Sequence, residues 1–335
     1  MRSFCQSAAL SAALFAVFGL PASADVASAV TDHIVPGYQG FAEATAALAA
    51  GAEADCSAAA MQPLWNAAFD RWLAVSHLAM GPVEEGGRNL AIAYWPDSKN
   101  AGGRTLKGIL EAADPALTTP EGVAQISVAA RGLFGLERLL YPEAEGAYAC
   151  DLRRALASDL AQTAAAVSAA WGMPGAGGYA DALITAGQPG NSTYLTQDEA
   201  KQALYTALVT GLEFTSDSRL GRPLGSFDRP YPDRAEALAS GRPLRNIQLS
   251  LAALHQLALD LVPAEEMPVT EAAFQRAQKL AQELPDPTLA GVASPGGRLK
   301  VEIVQQAIEA ARDGVRAEVS PALGVGLGLN AADGD

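Results

Sequence analysis

Apolar side chains return every three or four positions along most of this chain, and alternation with period two is scarce. Val30, Ile34, Tyr38 and Phe41 set the pattern, and Trp65, Phe69, Trp72 and Leu73 repeat it. That spacing gathers apolar groups on one stripe of an α-helix. The expected fold class is therefore all-α.

Helices are expected over 30–41 with a kink at Pro36, over 57–80, and over 103–113, 120–141 and 148–171. After the glycine-rich break 172–178 the pattern resumes at 179–186, 196–220, 245–261, 270–284 and 297–319. Thr196, with Glu199 three positions on, reads as a capping box. The stretch Gly81–Asp97 reads as an irregular excursion of the kind that often carries function. Gly221–Leu244, rich in proline and glycine, reads as a loop. A Gly-Leu-Glu echo at 135–137 and 211–213 falls once in each half. It suggests two related helical bundles, 25–172 and 173–335, with pseudo-symmetry between them.

The ends and the charge bound the compartment and the partners. Arg2 precedes an apolar run from Ala8 to Leu20, and Ala22-Ser23-Ala24 has the form of a signal-peptidase site. That run is shorter than the roughly 20 residues that span a bilayer. Residues 1–24 are thus expected to be a signal peptide, leaving an exported chain in the periplasm or cell envelope with no membrane insertion. Cys5 departs with it, and Cys56 and Cys150 remain as a pair in an oxidising compartment, most simply a disulfide. Closing so long a loop contributes about 4–5 kcal/mol by the chain-entropy argument. The formal net charge of −14 repels phosphate backbones, so nucleic acid is not an expected partner.

Two carboxylates stand out against apolar helix faces. Glu137 follows Leu133 by four positions, and Glu213 follows Val209 by four. A charge in such a place must be paired, protonated or metal-bound. Arg131, Arg219, Arg222 and Arg245 are available as ion-pair donors. Among the three histidines, His33, His77 and His255, His77 is the ligand candidate because it precedes the Gly81–Asp97 loop. No His-Glu-x-x-His, Cys-x-x-Cys, Gly-x-Ser-x-Gly or P-loop pattern occurs.

Several segments together resemble the imelysin-like family, the M75 peptidase group that includes periplasmic iron-uptake proteins. They are Gly81-Pro82-Val83-Glu84, then Trp95-Pro96-Asp97, then Ala130–Glu137, and finally Gly328–Asp335. The third aligns with that family's Gly-x-His-x-x-Glu motif, with Gly132 and Glu137 retained and Phe134 in place of the histidine. The resemblance implies two helical bundles with a functional cleft between them, and a link to iron or another metal ion.

Phenylalanine offers no lone pair, which halves the motif's ligand pair and weakens hydrolysis more than binding. Glu84, Glu85, Asp97, Glu137 and Glu213 remain able to hold a hard cation such as Fe³⁺ or Ca²⁺. The expected cleft is lined by Glu137 and the Gly81–Asp97 loop with Trp95, and by Glu213, Arg219 or Arg222. Phe134 is expected beside Glu137, whose carboxylate is expected on an arginine, Arg131 or one from the second half. The leading functional expectation is a non-catalytic protein binding a metal ion or small ligand, working with envelope uptake proteins. An M75-type metallopeptidase with a rearranged site and a ligand-free interaction module are the alternatives.

Overall fold

The computed structural model describes residues 25–326; the expected signal peptide, 1–24, and the Gly328–Asp335 ending lie outside the described residues. Helices account for the regular structure, and among the described residues the only β pairings are isolated bridges at Leu140–Glu143 and Ser226–Arg229. No described helix is long and apolar enough to cross a membrane.

Helix α1 (Val35–Ala54) lies along α2 (Ala58–Leu73) and along the later helix Ala147–Trp171. It buries Tyr38, Phe41, Thr45 and Leu48, the stripe its spacing predicts. The α2 stripe of Met61, Trp65, Phe69 and Trp72 faces the same core, and Trp65 donates its indole N–H to the Leu133 carbonyl at 3.0 Å. After α3 (Ala101–Ala112) comes the motif helix α4 (Gly132–Leu140), then α5 (Ala147–Trp171). Trp171, at the end of α5, stacks on Tyr38 with ring centroids 5.4 Å apart. Cys56 and Cys150 form the disulfide, tying the start of α2 to the start of α5.

The C-terminal half is built from α6 (Gln197–Glu213), α7 (Pro243–Leu261), α8 (Pro268–Glu283) and α9 (Pro295–Gly314). The Thr196 side chain caps α6 through the Glu199 N–H, and Glu199 accepts from the Leu195 N–H. Helix α7 buries Leu251, Leu254, Leu257 and Leu261. It packs on α6 and α8, and also on α2 and the segment Ala29–Ile34. One connected core therefore runs through both halves.

Three boundaries differ from the sequence expectation. The stretch expected as one helix over 120–141 breaks into Pro120–Val123, Val128–Ala130 and α4, and the last break falls where Gly132 takes φ +61°. Helix α2 ends at Leu73, so His77 sits in a following turn rather than on a helix end. The Gly81–Asp97 excursion is partly ordered into short turns and a helix at Arg88–Ile92. Pro36 does not break its helix: Ala29–Ile34, just before α1, widens into π-helix, and Pro36 then falls in the first turn of α1. A second π-helical stretch, Phe214–Leu220, continues α6.

Candidate functional site

The motif helix is placed by its glycine. A Cβ on Gly132 would lie 2.2 Å from the Ala91 carbonyl oxygen and 2.3 Å from that of Ile92. Only glycine lets the backbone of 91–92 approach so closely while φ stays positive. The preceding residue, Arg131, pairs with Asp159 on α5, with nitrogen–oxygen distances of 2.5 and 3.0 Å.

Phe134 and Glu137, three positions apart on α4, go to different places. Phe134 meets the edge of Phe69 at 5.5 Å and lines a cavity. Glu137, 5% exposed, accepts from the backbone N–H of Ser240 at 3.0 Å and from its hydroxyl at 2.7 Å. The expectation of an arginine partner is corrected here: a hydroxyl and a backbone donor do that work. Burial raises the Glu137 pKa, and the two Ser240 bonds only partly offset the shift.

The cavity, of about 230 Å³, lies where the two halves of the chain meet. Trp72, His77, Trp95 and Phe134 reach it from the first half. Phe214, Arg219, Glu236, Ser250 and Leu254 reach it from the second. Trp95 and Phe214 close edge to face at 5.8 Å across that seam. Arg219 and Glu236, both 5% exposed, pair at 2.7 Å, and Asn246 donates to the same carboxylate oxygen at 3.0 Å. The two buried charges cancel.

His77 adds an uncharged polar group. Its Nε2 stands 3.2 Å from Nε2 of His33, which projects from the π-helical stretch before α1. Burial lowers the His33 pKa to about 4. Burial, then the nearby His33 and Arg219, hold His77 well below the ordinary imidazole value. Both rings are therefore neutral at neutral pH, with one proton shared between the facing nitrogens. The other nitrogen of His77, Nδ1, is buried without a hydrogen-bond partner, and so is the Ser250 hydroxyl.

A second polar cluster crosses the seam nearby. Arg242, 2% exposed, donates to Asn66 Oδ1 at 2.6 Å, to Asp70 Oδ1 at 2.5 Å and to Asn246 Oδ1 at 3.2 Å. Its guanidinium lies over Phe69 at 4.8 Å. Arg245 grips Asp70 as well. Asn246 thus joins this strut to the Glu236–Arg219 pair.

His77, Trp95, Phe134 and Arg219 line the same cavity. Arg222 stacks over Trp95 at 5.6 Å. The carboxylates do not converge. Glu84 and Glu85 are exposed, and Glu85 pairs with Arg88 at 3.2 Å. Asp97 accepts from the Ala101 and Gly102 N–H groups at the start of α3 and from Arg138 at 3.0 Å. Glu213 pairs with Arg316 at 2.6 Å. The cavity's carboxylate is Glu236; Glu137 and Glu213 lie outside its lining, and of the residues expected from the second half Arg219 reaches it. Among the described residues, no group of three or more His, Cys, Asp or Glu is arranged to hold a metal ion.

Sequence reasoning missed His33, Glu236, Ser240, Arg242 and Ser250. For Glu236, Ser240 and Arg242 the available signal was a loop, Gly221–Leu244, with more charge than a connector needs.

The architecture and sequence have relatives. An imelysin-like protein from Psychrobacter arcticus 273-4 superposes with a TM-score of 0.75 at 19% identity, covering 91% of this chain and 96% of its own. A protein described as an iron-regulated protein A precursor, from Parabacteroides distasonis ATCC 8503, gives a TM-score of 0.67 at 14% identity, covering 87% and 92%. Iron-regulated protein A of Synechococcus elongatus is 24% identical over 281 residues, 78% of this chain and 74% of that protein. The imelysin (M75 peptidase) family model matches residues 34–314, and the chain belongs to that family.

Proposed function

We propose that this protein is a non-catalytic member of its family, exported to the cell envelope, that holds a small molecule in the seam cavity and serves iron acquisition. One observation carries the reading. Where the family motif has histidine, a phenylalanine ring forms part of a neutral aromatic cavity whose lining residues His77 and Ser250 each carry a buried polar atom without a protein partner.

Metal-assisted hydrolysis needs a water held and activated by a cluster of ligands. Here Glu137 is committed to Ser240, Glu213 to Arg316 and Asp97 to Arg138 and a helix start. The link to iron rests on the name of the Synechococcus relative. The division into two bundles near residue 172 belongs to the same reading, with the cavity between them.

The test uses protein purified from a periplasmic extract. After dialysis it should hold far less than one equivalent of any transition metal. A panel of small organic compounds should raise its melting temperature, and Ala93→Leu, which fills the cavity, should abolish that rise. One equivalent of retained metal, with chelator-sensitive cleavage of a denatured protein substrate, would establish the metallopeptidase instead.

A further inference from the structure

We infer that the cavity is built for a neutral, flat aromatic molecule carrying a single hydrogen-bonding group, and that His77 Nδ1 and the Ser250 hydroxyl read that group. The inference deepens the proposed small-ligand function and rests on it.

Four observations converge on this class. The first is size: about 230 Å³ is below the roughly 300–1,000 Å³ of drug-sized sites, so the occupant is a ring or two at most. The second is the wall. Trp72, Trp95, Phe134 and Phe214 line the cavity, and aromatic rings favour offset or edge-on packing against another ring.

The third is charge. Arg219 is already matched by Glu236 at 2.7 Å, and His77 is uncharged. Among the residues that line the cavity, an entering carboxylate or ammonium finds no uncompensated counter-charge, and burying it is unfavourable.

The fourth is the pair of unpartnered polar atoms. Buried polar atoms without partners are rare in folded proteins, because each carries its full desolvation cost. His77 Nδ1 and Ser250 Oγ both belong to cavity-lining residues that are more than nine-tenths buried. The His33 contact makes the first of them adaptable. When His33 donates its Nε2–H, His77 carries its proton on Nδ1 and is a donor; when His77 donates, Nδ1 is an acceptor. A hydroxyl bears both roles as well. The two atoms can therefore satisfy a phenolic hydroxyl or a carbonyl on the ligand, one group at a time.

Phenol, benzamide, cyclohexanol, benzoate and benzylamine serve as probes on the whole exported chain. Binding is followed by calorimetry and by the emission of the cavity tryptophans. Phenol or benzamide should saturate one site. Benzoate and benzylamine should bind about tenfold more weakly or worse, because each must bury an uncompensated charge. Cyclohexanol should also be weaker, by about fivefold, for lack of ring–ring contact. Ser250→Ala should weaken phenol by about fivefold without lowering the melting temperature, since no protein hydrogen bond is lost.

Ala93→Leu should abolish binding, and Ser76→Leu is the substitute if that variant does not fold. Tighter binding of benzoate, benzylamine or cyclohexanol overturns the ligand class while leaving a small-molecule site intact. No binding by any probe, with Ala93→Leu indistinguishable from the parent, overturns the ligand class and the small-molecule function together.

Discussion

Two polar clusters cross the same seam, and they are finished differently. In the strut, every guanidinium nitrogen of Arg242 donates to a named acceptor on Asn66, Asp70 or Asn246. Around the cavity, Arg219 and Glu236 pair at 2.7 Å, yet the lining residues His77 and Ser250 keep Nδ1 and Oγ buried and idle. A fully satisfied buried network holds a structure together, whereas idle buried donors and acceptors point to a partner from outside the chain. The contrast separates fastening from binding within one interface.

The largest test of that contrast is removal of the strut. Arg242→Ala leaves Asp70 with Arg245 alone and strands Asn66 and Asn246. Breaking one partner out of a buried pair costs about 3–5 kcal/mol. Urea unfolding should read a loss of that size, while Ser250→Ala reads almost none. Equal losses at the two sites would erase the distinction.

Acid should separate the clusters next. The folded-state pKa values of His33 and His77 lie below the unfolded value near 6.5, so between about pH 6.5 and 4 the unfolded chain binds more protons. Stability should be intact above that window and fall as pH drops through it, by about 1.4 kcal/mol per pH unit for each histidine kept neutral. At Asp70, burial pushes the carboxyl up, but Arg245 and Arg242 outweigh it and hold it below the usual carboxylate range. Its contribution persists above pH 3.8 and disappears only below, so the strut should outlast the histidine pair. His33→Gln should flatten the melting-temperature profile between pH 6.5 and 4. An unchanged slope would mean that the pair is not what titrates.

Glu137 is a smaller test. Its raised pKa makes ionisation unfavourable to the fold at neutral pH, a cost relieved as pH falls. Glu137→Gln keeps an acceptor for Ser240 and should change stability by less than about 1 kcal/mol, against about 1–3 for Glu137→Ala, which strands the buried Ser240 donors. The smallest effect is expected from Phe134→His. The new imidazole would stand three positions before a carboxylate already committed to Ser240. Zinc affinity measured by calorimetry should rise by no more than about tenfold, or 1.4 kcal/mol, from a weak starting value. Tight zinc binding before substitution would place a metal where a small molecule is proposed.

Much of this was legible in the chain itself. The stripes of α1 and α2, the Thr196 cap and the cysteine pair follow from local spacing and compartment. The sequence singled out Phe134, Trp95 and His77, and all three line the cavity, although Phe134 lies apart from Glu137. What spacing cannot carry is pairing over distance. The need for a partner at Glu137 was clear from burial, yet its donors sit 103 positions away on Ser240. A serine in a polar loop looks like any other until the loop folds inward. His33 was invisible for a related reason: its role depends on a widened helical turn that leaves no periodic mark.

Those widened turns have a further consequence. His33 lies in one π-helical stretch, and Phe214 and Arg219 lie in another. A π-turn holds one more residue than the α-turn it replaces. Deleting a residue there would let an ordinary α-turn close in its place, leaving the flanking segments in phase and removing one side chain from the widened stretch. The lining of the seam would change with no core side chain substituted and no helix broken. In evolutionary terms, this architecture can vary its cavity by counting residues rather than by exchanging them.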